Sequence, residues 1–367
     1  MKITAPLDTV NEAEILIKAG ADELYCGVYH NMWKEIDTFP NARHMFYGNL
    51  KSFKDLKDTL CITKKYAIPL YLCVNEYYSK KAYALIRDDI DLAFEAGIDG
   101  FIVADVSLIS IIRKRNSLCK IILSSLTPSF NAMGFSFFKE LGVDRVILPL
   151  SQLSLQEIIE LAEDGKKMGM EVEVFINNIT CKNINGFCLY HNVGIETYFN
   201  SKYATRYRLM LDVLRNMIQF FPSSFKDIIG KALWRSKVHP SLACRKEYDV
   251  RIIKKENGNA IEKAMLKEIT LERDFAQRYC ILCALYFFAK RGVVAGKIAG
   301  RGSFTGKKVR DIQCAKRYLT EIEHGIISEH NFSQRGRRIY QQNYGIDCKE
   351  KNCSFLSSLQ TVQNISG

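Results

Sequence analysis

Short apolar runs alternate with amphipathic stretches through the first half of the chain, and this alternation limits the possible folds more than any other feature. The apolar runs have the length of strands, and apolar residues in the intervening stretches recur at helical spacing. Strands that alternate with helices indicate parallel βαβ units. The predicted strands are KITAP (2–6), ELYCGV (23–28), PLYLCVN (69–75), GFIVAD (100–105), KIILSSL (120–126), RVILPL (145–150) and EVEVFIN (171–177).

A weak internal repeat supports this interpretation. Three segments join a glycine, a short turn with Asp and a strand: GADELYCG (20–27), GIDGFIVAD (97–105) and GVDRVILPL (142–150). Glycine suits the left-handed position that follows a helix. A fourth copy without the Asp, GVVAGKIAGRG (292–302), adds an eighth strand. The sequence therefore predicts an α/β fold, a TIM-like (β/α)8 barrel, with a doubly wound open sheet as the main alternative.

The strand–helix rhythm breaks after the seventh strand. We expect an inserted, cysteine-bearing region at 178–270, placed at the carboxyl end of that strand, where barrel enzymes build their active sites. The predicted barrel, with this insertion, spans 1–320. A polar C-terminal extension, 321–367, is expected to be partly disordered.

Charge and composition indicate an anionic partner. The 367-residue chain carries a net charge of +12, which suits RNA or a phosphate ligand, although a solvated basic surface explains it equally well. The first residues show no secretory signal, and the longest apolar run, 279–289, is too short to span a bilayer. We therefore expect a cytoplasmic location and no membrane partner. Twelve cysteines in a reducing compartment argue against a disulfide framework.

Four cysteines are candidate metal ligands, whereas most of the others lie within apolar segments. Cys181 and Cys188 lie in a polar loop after the seventh strand, Cys244 lies in a polar stretch, and Cys280 opens an apolar helix. Zinc ribbons prefer two tight CxxC pairs, and the chain has one, Cys280 with Cys283. Four dispersed thiolates suit an iron–sulfur cluster. Spacing alone leaves both kinds of site open.

The segment EVEVFINNITCKNINGFCLYH (171–191) resembles the signature of peptidase family U32, the collagenase-like peptidases. That signature runs Glu-x-Phe, a short turn, then Cys-x4-Gly-x-Cys. The matching residues are Glu173, Phe175, Cys181, Gly186 and Cys188. The usual His-Gly-Ala of the turn is here Asn177-Asn178-Ile179.

Two further blocks resemble the same family. The opening ITAPLDTVNEAEILIKAGADELYCG (3–27) is similar to the start of the family sequences. The late KIAGRG (297–302) resembles the family's KIEGR, with Ala299 in place of Glu. Cys280 stands seventeen residues before Lys297, where the family has a cysteine. The resemblance extends over residues 1–320.

The resemblance implies a cofactor and a choice of functions. It implies a TIM-like barrel whose [4Fe–4S] cluster is held by four cysteines, namely Cys181, Cys188, Cys244 and Cys280. The favoured function is an oxygen-independent hydroxylation-type modification of RNA or of a small aromatic metabolite. The alternatives are a peptidase, as the family name suggests, and a non-catalytic subunit that works with a paralogous protein subunit in a modification complex.

Candidate site residues follow from the same blocks. Lys297, Gly300 and Arg301 end the last strand, where they could hold a small anionic metabolite or a peptide carboxylate. The neighbouring glycines, including Gly302, could present backbone N–H groups to an anion. Candidate catalytic residues are Lys297, Arg301, His191 and Glu173. The sequence contains no HExxH or GxSxG motif that would support proteolysis.

The last part of the chain suggests an RNA surface. Basic residues are dense from Arg301 to Arg338, and Tyr340 and Tyr344 follow them, so we predict phosphate contacts and base stacking there. Cys348 and Cys353, in the polar tail, could ligate a metal, but the favoured expectation is that they are exposed thiols outside the ligand set.

Overall fold

The fold is that of a computed structural model, which describes residues 1–35, 39–42, 48–127, 129–149, 153–176, 250–256, 259–266, 280–345, 347–348, 353, 355 and 359. Cys181, Cys188, Cys244 and His191 lie outside the described residues. The domain division predicted from the sequence stays a prediction.

Eight parallel strands close into a barrel, which confirms the TIM-like fold and excludes an open sheet. The strands are β1 (Lys2–Pro6), β2 (Glu23–Cys26), β3 (Leu70–Val74), β4 (Gly100–Val103), β5 (Lys120–Leu123), β6 (Arg145–Ile147), β7 (Glu171–Ile176) and β10 (Val293–Ile298). Their order around the barrel is β1, β10, β7, β6, β5, β4, β3, β2. From β1 to β7, each strand therefore lies beside its neighbour in sequence, and β10 closes the ring.

The inserted region contributes an antiparallel pair of strands, β8 (Val250–Glu256) and β9 (Asn259–Leu266). The sequence analysis did not anticipate this hairpin.

Helices cover the outside of the barrel, and side-chain caps fix where several of them begin. Ser52, Ser79 and Ser154 each accept a backbone N–H three residues later, and Ser154 forms a full capping box with Glu157. The helices are α1 (Glu12–Lys18), α2 (Phe53–Lys65), α3 (Lys80–Ala96), α4 (Val106–Arg115), α5 (Ala132–Glu140), α6 (Leu155–Lys167), α7 (Leu285–Lys290), α8 (Thr305–Glu323) and α9 (Phe332–Tyr344).

The apolar run 279–289 forms a buried 3-10 turn, Leu282–Ala284, that leads into α7, as expected of a buried helical segment. Among the described residues, no helix has the length and apolarity needed to cross a bilayer.

The glycine–aspartate repeat has a structural explanation at the amino-terminal rim of the barrel. Gly20, Gly97 and Gly142 have φ values of +106°, +83° and +90°, which non-glycine residues rarely adopt. Each Asp that follows accepts the backbone N–H of the preceding strand. Asp22 bonds Ile3 at 2.9 Å, Asp99 bonds Leu70 at 2.8 Å and Asp144 bonds Ile121 at 2.8 Å. The repeat therefore joins neighbouring strands at one end of the barrel.

The barrel interior contains a buried network of charged side chains. The Arg145 guanidinium donates to Glu23 Oε2 at 2.5 Å, to Glu171 Oε2 at 2.7 Å and to Glu173 Oε2 at 3.3 Å. Arg145 and Glu23 are almost completely buried. Burial opposes ionisation of Glu23, but the hydrogen bonds and charge of Arg145 outweigh it and lower the pKa of this carboxyl to about 2. Arg145 is therefore the buried cation that these three acids share, while Lys2 also pairs with Glu23 and Lys120 with Glu171.

We predict that Arg145→Met destabilises the protein by about 3–5 kcal/mol, because Glu173 loses the hydrogen bond to its Oε2 and buried Glu23 keeps only the more exposed Lys2 as a cationic partner. Urea denaturation followed by circular dichroism measures the free energy of unfolding. The matched control is Arg115→Met, which removes a half-exposed pair with Asp91 and should cost no more than about 1 kcal/mol. Equal losses of stability for the two variants would contradict the central role of Arg145.

Candidate active site

The carboxyl-terminal half of the barrel interior combines apolar side chains with one buried amine. Lys297, on β10, lies beside Phe175 of β7 and Thr4 of β1 in the strand register. The apolar side chains that pack together inside the barrel are Tyr25, Tyr71, Cys73, Ile102, Ile122, Ile147 and Phe175. Lys297 is 5% exposed, so its amine is withdrawn from water.

Two predicted site residues meet at this level. Lys297 Nζ lies 3.8 Å from Glu173 Oε1 and 3.5 Å from the centroid of the Tyr25 ring. Neither Lys297 Nζ nor Glu173 Oε1 makes a hydrogen bond within the described part of the chain. Burial lowers the pKa of Lys297, although the charge of Glu173 acts in the opposite direction. The Tyr25 hydroxyl donates to the carbonyl of Ile298 at 2.9 Å, which fixes the ring under the amine.

Arg301 occupies the mouth of the barrel together with two asparagines that follow β2. Its Nη1 donates to Asn49 Oδ1 at 3.2 Å, and Asn41 Nδ2 donates to the same oxygen at 3.0 Å. A Cβ on Gly27 would lie 2.1 Å from Asn49 Oδ1 and 2.3 Å from Arg301 Nη1, so only glycine fits there. These contacts give a largely buried guanidinium a fixed direction, as recognition of a carboxylate or phosphate requires.

The glycine-rich loop after β10 differs from the expectation in one respect. The Gly302 N–H donates to Asp8 Oδ2 at 2.6 Å, so this carboxylate already takes the group that we expected to face an anion. The same oxygen accepts from Lys308 Nζ at 2.8 Å, and Lys308 also donates to Glu12. The role of Gly302 is therefore to join the first and last βα-loops. Gly300, with φ of +121°, lets the chain turn, and its carbonyl accepts the Ser303 N–H.

The sequence analysis missed two residues that follow β3. Asn75 accepts the Ala42 N–H at 3.3 Å and donates to Ser124 Oγ at 3.2 Å, which links three loops at the mouth. Glu76 is 5% exposed, and burial raises the pKa of its carboxyl to about 7, even though the Tyr77 N–H donates to it. The available signal was a polar Asn-Glu pair placed directly after a buried strand.

Cys280 is the one predicted cluster ligand within the described residues. It is buried, forms a parallel backbone bridge with Cys353, and its sulfur accepts the Leu282 N–H at 3.4 Å. Burial raises its pKa, and the nearby thiols of Cys283 and Cys348 raise it further. Cys348 and Cys353 are half-buried, so the expectation that they are exposed is wrong. In the parts of the chain that the structure describes, no three His, Cys, Asp or Glu side chains form a metal-binding group.

The structure contradicts part of the RNA surface that the sequence predicted. Tyr340 is 5% exposed, and the Tyr344 hydroxyl donates to Asp311 at 2.6 Å, so base stacking on Tyr340 was a wrong expectation. Arg335 pairs with Glu321 at 3.0 Å. Arg337 and Arg338 are exposed on α9.

Fold and site together define the class of protein. The chain is a TIM-like (β/α)8 barrel with polar groups gathered at the carboxyl ends of its strands, where enzymes of this fold carry their active sites. The sequence model of Peptidase family U32 matches residues 8–209, more than half of the chain. The chain therefore belongs to peptidase family U32.

Relatives in this family carry names that concern RNA. The chain is 26% identical over 191 residues to tRNA hydroxylation protein P1 of Bacillus subtilis, covering 52% of this chain and 42% of the relative. It is 26% identical over 189 residues to tRNA hydroxylation protein P of Escherichia coli, covering 51% of this chain and 38% of the relative. The chain thus spans about two-fifths of the length of these relatives.

A comparison with solved structures finds the U32 peptidase Mk0906, at 15% identity and a TM-score of 0.42. The match covers 56% of this chain and 84% of that one.

We predict that Glu76 makes stability fall as pH rises between about 4.5 and about 7. Its folded-state pKa is raised, so the folded protein binds the proton more tightly than the unfolded chain, and folding loses stability as that proton leaves. Glu76→Gln should therefore be more stable than the wild type at pH 8 by roughly 3 kcal/mol, and by much less at pH 4.5. Urea denaturation at both pH values measures this difference.

The control is Glu95→Gln, which alters an exposed carboxyl on α3 and should leave the pH dependence unchanged. An identical pH dependence in the wild type and Glu76→Gln would refute the raised pKa.

Proposed function

We propose that the chain takes part in hydroxylation-type modification of RNA, with the reacting group held at the carboxyl-terminal mouth of the barrel. The names of the tRNA hydroxylation relatives are the observation that carries this proposal. The site is compatible with it, because Arg301 places positive charge at the mouth. A basic chain with a net charge of +12 also suits an RNA substrate.

Each site residue has a role in this proposal. Arg301, directed by Asn49, holds a phosphate or carboxylate of the substrate. Glu76 transfers protons, since a carboxyl with a pKa of about 7 exchanges its proton readily at neutral pH. The apolar side chains around Tyr25 exclude water from the reacting group.

A [4Fe–4S] cluster is part of the proposal. Cys280 fits a cluster ligand, because its buried sulfur accepts a backbone N–H, as sulfurs bound to such clusters commonly do. The other ligands would be Cys181, Cys188 and Cys244, which lie outside the described residues. A cluster of this kind supplies one-electron transfer.

For the cluster, we predict that anaerobically purified protein is brown and contains about four irons and four sulfides per chain. Cys280→Ser, Cys181→Ser and Cys188→Ser should each lose most of the iron and the visible absorbance. Cys61→Ser, at an exposed helical position, is the control and should lose none. Cys353→Ser should retain the iron, since Cys353 is outside the proposed ligand set. Colourless wild-type protein with stoichiometric zinc would overturn the cluster.

For the function, the decisive experiment compares nucleosides from total tRNA by mass spectrometry in cells with and without the gene. A hydroxylated nucleoside should disappear on deletion and be restored by the wild-type gene. Restoration should fail with Arg301→Gln, provided that the variant accumulates to the wild-type level. Unchanged nucleosides, together with cleavage of peptides by the purified protein, would instead support the peptidase alternative.

For RNA binding, we predict that the double variant Arg337→Glu and Arg338→Glu weakens retention on tRNA. For each phosphate that the variant no longer neutralises, the slope of log affinity against log salt should fall by roughly 0.7–0.9. Arg335 is left unchanged because its ion pair with Glu321 joins α9 to α8, and its loss would disturb the fold as well as the charge. The control, Lys80→Glu with Lys81→Glu, makes the same change of charge at the start of α3 and should have a smaller effect. Equal effects of the two variants would contradict a specific RNA surface on α9.

A further inference from the structure

Two lysines are buried in the part of the chain that the structure describes, and their surroundings differ sharply. Lys308 Nζ donates three hydrogen bonds, at 2.8 Å to Asp8 and at 2.9 and 3.1 Å to Glu12. Lys297 Nζ makes none within the described residues. A buried ammonium group is normally paired and hydrogen-bonded, because desolvation of an unpaired charge is costly. Lys308 meets that requirement, and Lys297 does not.

The neighbours of Lys297 do not replace the missing hydrogen bonds. Glu173 Oε1 lies 3.8 Å away, beyond hydrogen-bond distance, and is itself without a hydrogen bond within the described residues. Its other oxygen, Oε2, accepts from Arg145. Tyr25 presents its ring face, at 3.5 Å. Arg301 and Arg145 both lie close enough to disfavour a second positive charge, while Glu173 and Cys73 act in the opposite direction.

Burial, the lack of hydrogen bonds and the nearby guanidinium groups together favour a nucleophilic lysine. A lysine that is desolvated in an apolar pocket, or that lies beside other cations, has a larger fraction of free amine at neutral pH. The two facing polar atoms, Lys297 Nζ and Glu173 Oε1, also mark a position where a substrate oxygen would receive and donate hydrogen bonds.

We propose that Lys297 is a nucleophilic amine that forms an imine with the carbonyl group of a small α-keto acid. The carboxylate of that acid would pair with Arg301, four residues along the chain at the mouth of the barrel. Glu173 would accept a hydrogen bond from the hydroxyl that the carbonyl oxygen becomes. The proposal goes beyond RNA modification and stands whether or not RNA is a substrate.

The step balances without any oxidant or reductant. The neutral Lys297 amine attacks the carbonyl carbon, and a C–N bond forms as the carbonyl oxygen becomes a hydroxyl. Glu173 can relay a proton between the nitrogen and that hydroxyl. The hydroxyl then leaves as water, and a C=N bond remains. Hydrolysis reverses the step and regenerates the free amine.

Borohydride trapping tests this proposal on the full-length protein. Pyruvate is the probe, with sodium borohydride to reduce any imine to a stable secondary amine, and peptide mass spectrometry locates the added mass. Lys297 should carry more label than Lys308, because the Lys308 amine donates three hydrogen bonds to carboxylates, whereas Lys297 makes none within the described residues. Lys308 is an internal control in the same molecule, because it is equally buried but fully hydrogen-bonded.

Two further measurements test whether the label depends on the Lys297 amine and on the carboxylate of the probe. Lys297→Arg keeps the positive charge but cannot form an imine, and it should lose the trapped label while retaining the wild-type circular dichroism spectrum. Acetone, which lacks the carboxylate, should label Lys297 less than pyruvate does if Arg301 holds the acid. Label at Lys297 no greater than at Lys308 would overturn the proposal and leave a bridging water as the role of the facing atoms.

Discussion

The Arg145 guanidinium is the interaction on which the interior of this barrel depends. Three carboxylates meet it, that of Glu23 on β2 and those of Glu171 and Glu173 on β7. Glu23 and Glu173 are fully buried, and without the guanidinium they would repel each other strongly in this low-dielectric space. The same contacts orient the candidate site. Arg145 takes one oxygen of Glu173, so the other oxygen faces Lys297. Arg145 thereby also determines which oxygen of Glu173 faces Lys297.

Much of the barrel could be predicted because its signals are local. The eight strands follow apolar runs of the sequence, and the Gly-x-Asp repeat marks a left-handed turn followed by a carboxylate that bonds the neighbouring strand. In the structure, several strands end before the end of the apolar sequence run that predicted them. RVILPL, for example, contributes only Arg145–Ile147 to β6. Hydrophobicity continues past the last strand pairing there because Leu148 and Pro149, at the start of the following loop, are also buried, so composition alone cannot place that boundary.

The candidate site was only partly predictable. Lys297, Arg301 and Glu173 stand in recognisable motifs, and the structure places Lys297 beside Glu173. Asn49 and Glu76 lie in different loops. Glu76 at least follows a buried strand directly, whereas nothing in the local sequence of Asn49 shows that it approaches the mouth. Gly302 illustrates the opposite error. Its loop has the composition of an anion site, yet Asp8, from the other end of the chain, takes its N–H. Contacts between residues hundreds of positions apart leave no periodic trace in a sequence.

The position of β10 has a consequence for the order in which the barrel can form. This strand lies between β1 and β7, and residues 177–292 separate it from β7 along the chain. While the chain is being synthesised, β1 and β7 are both open edges until β10 has left the ribosome. Exposed parallel edges are prone to pairing with other chains. Loop-closure entropy grows only with the logarithm of loop length, so the long insertion costs little once the barrel closes. The insertion matters more for the nascent protein. The unpaired edges of β1 and β7 have to be kept from pairing with other chains until β10 has been synthesised.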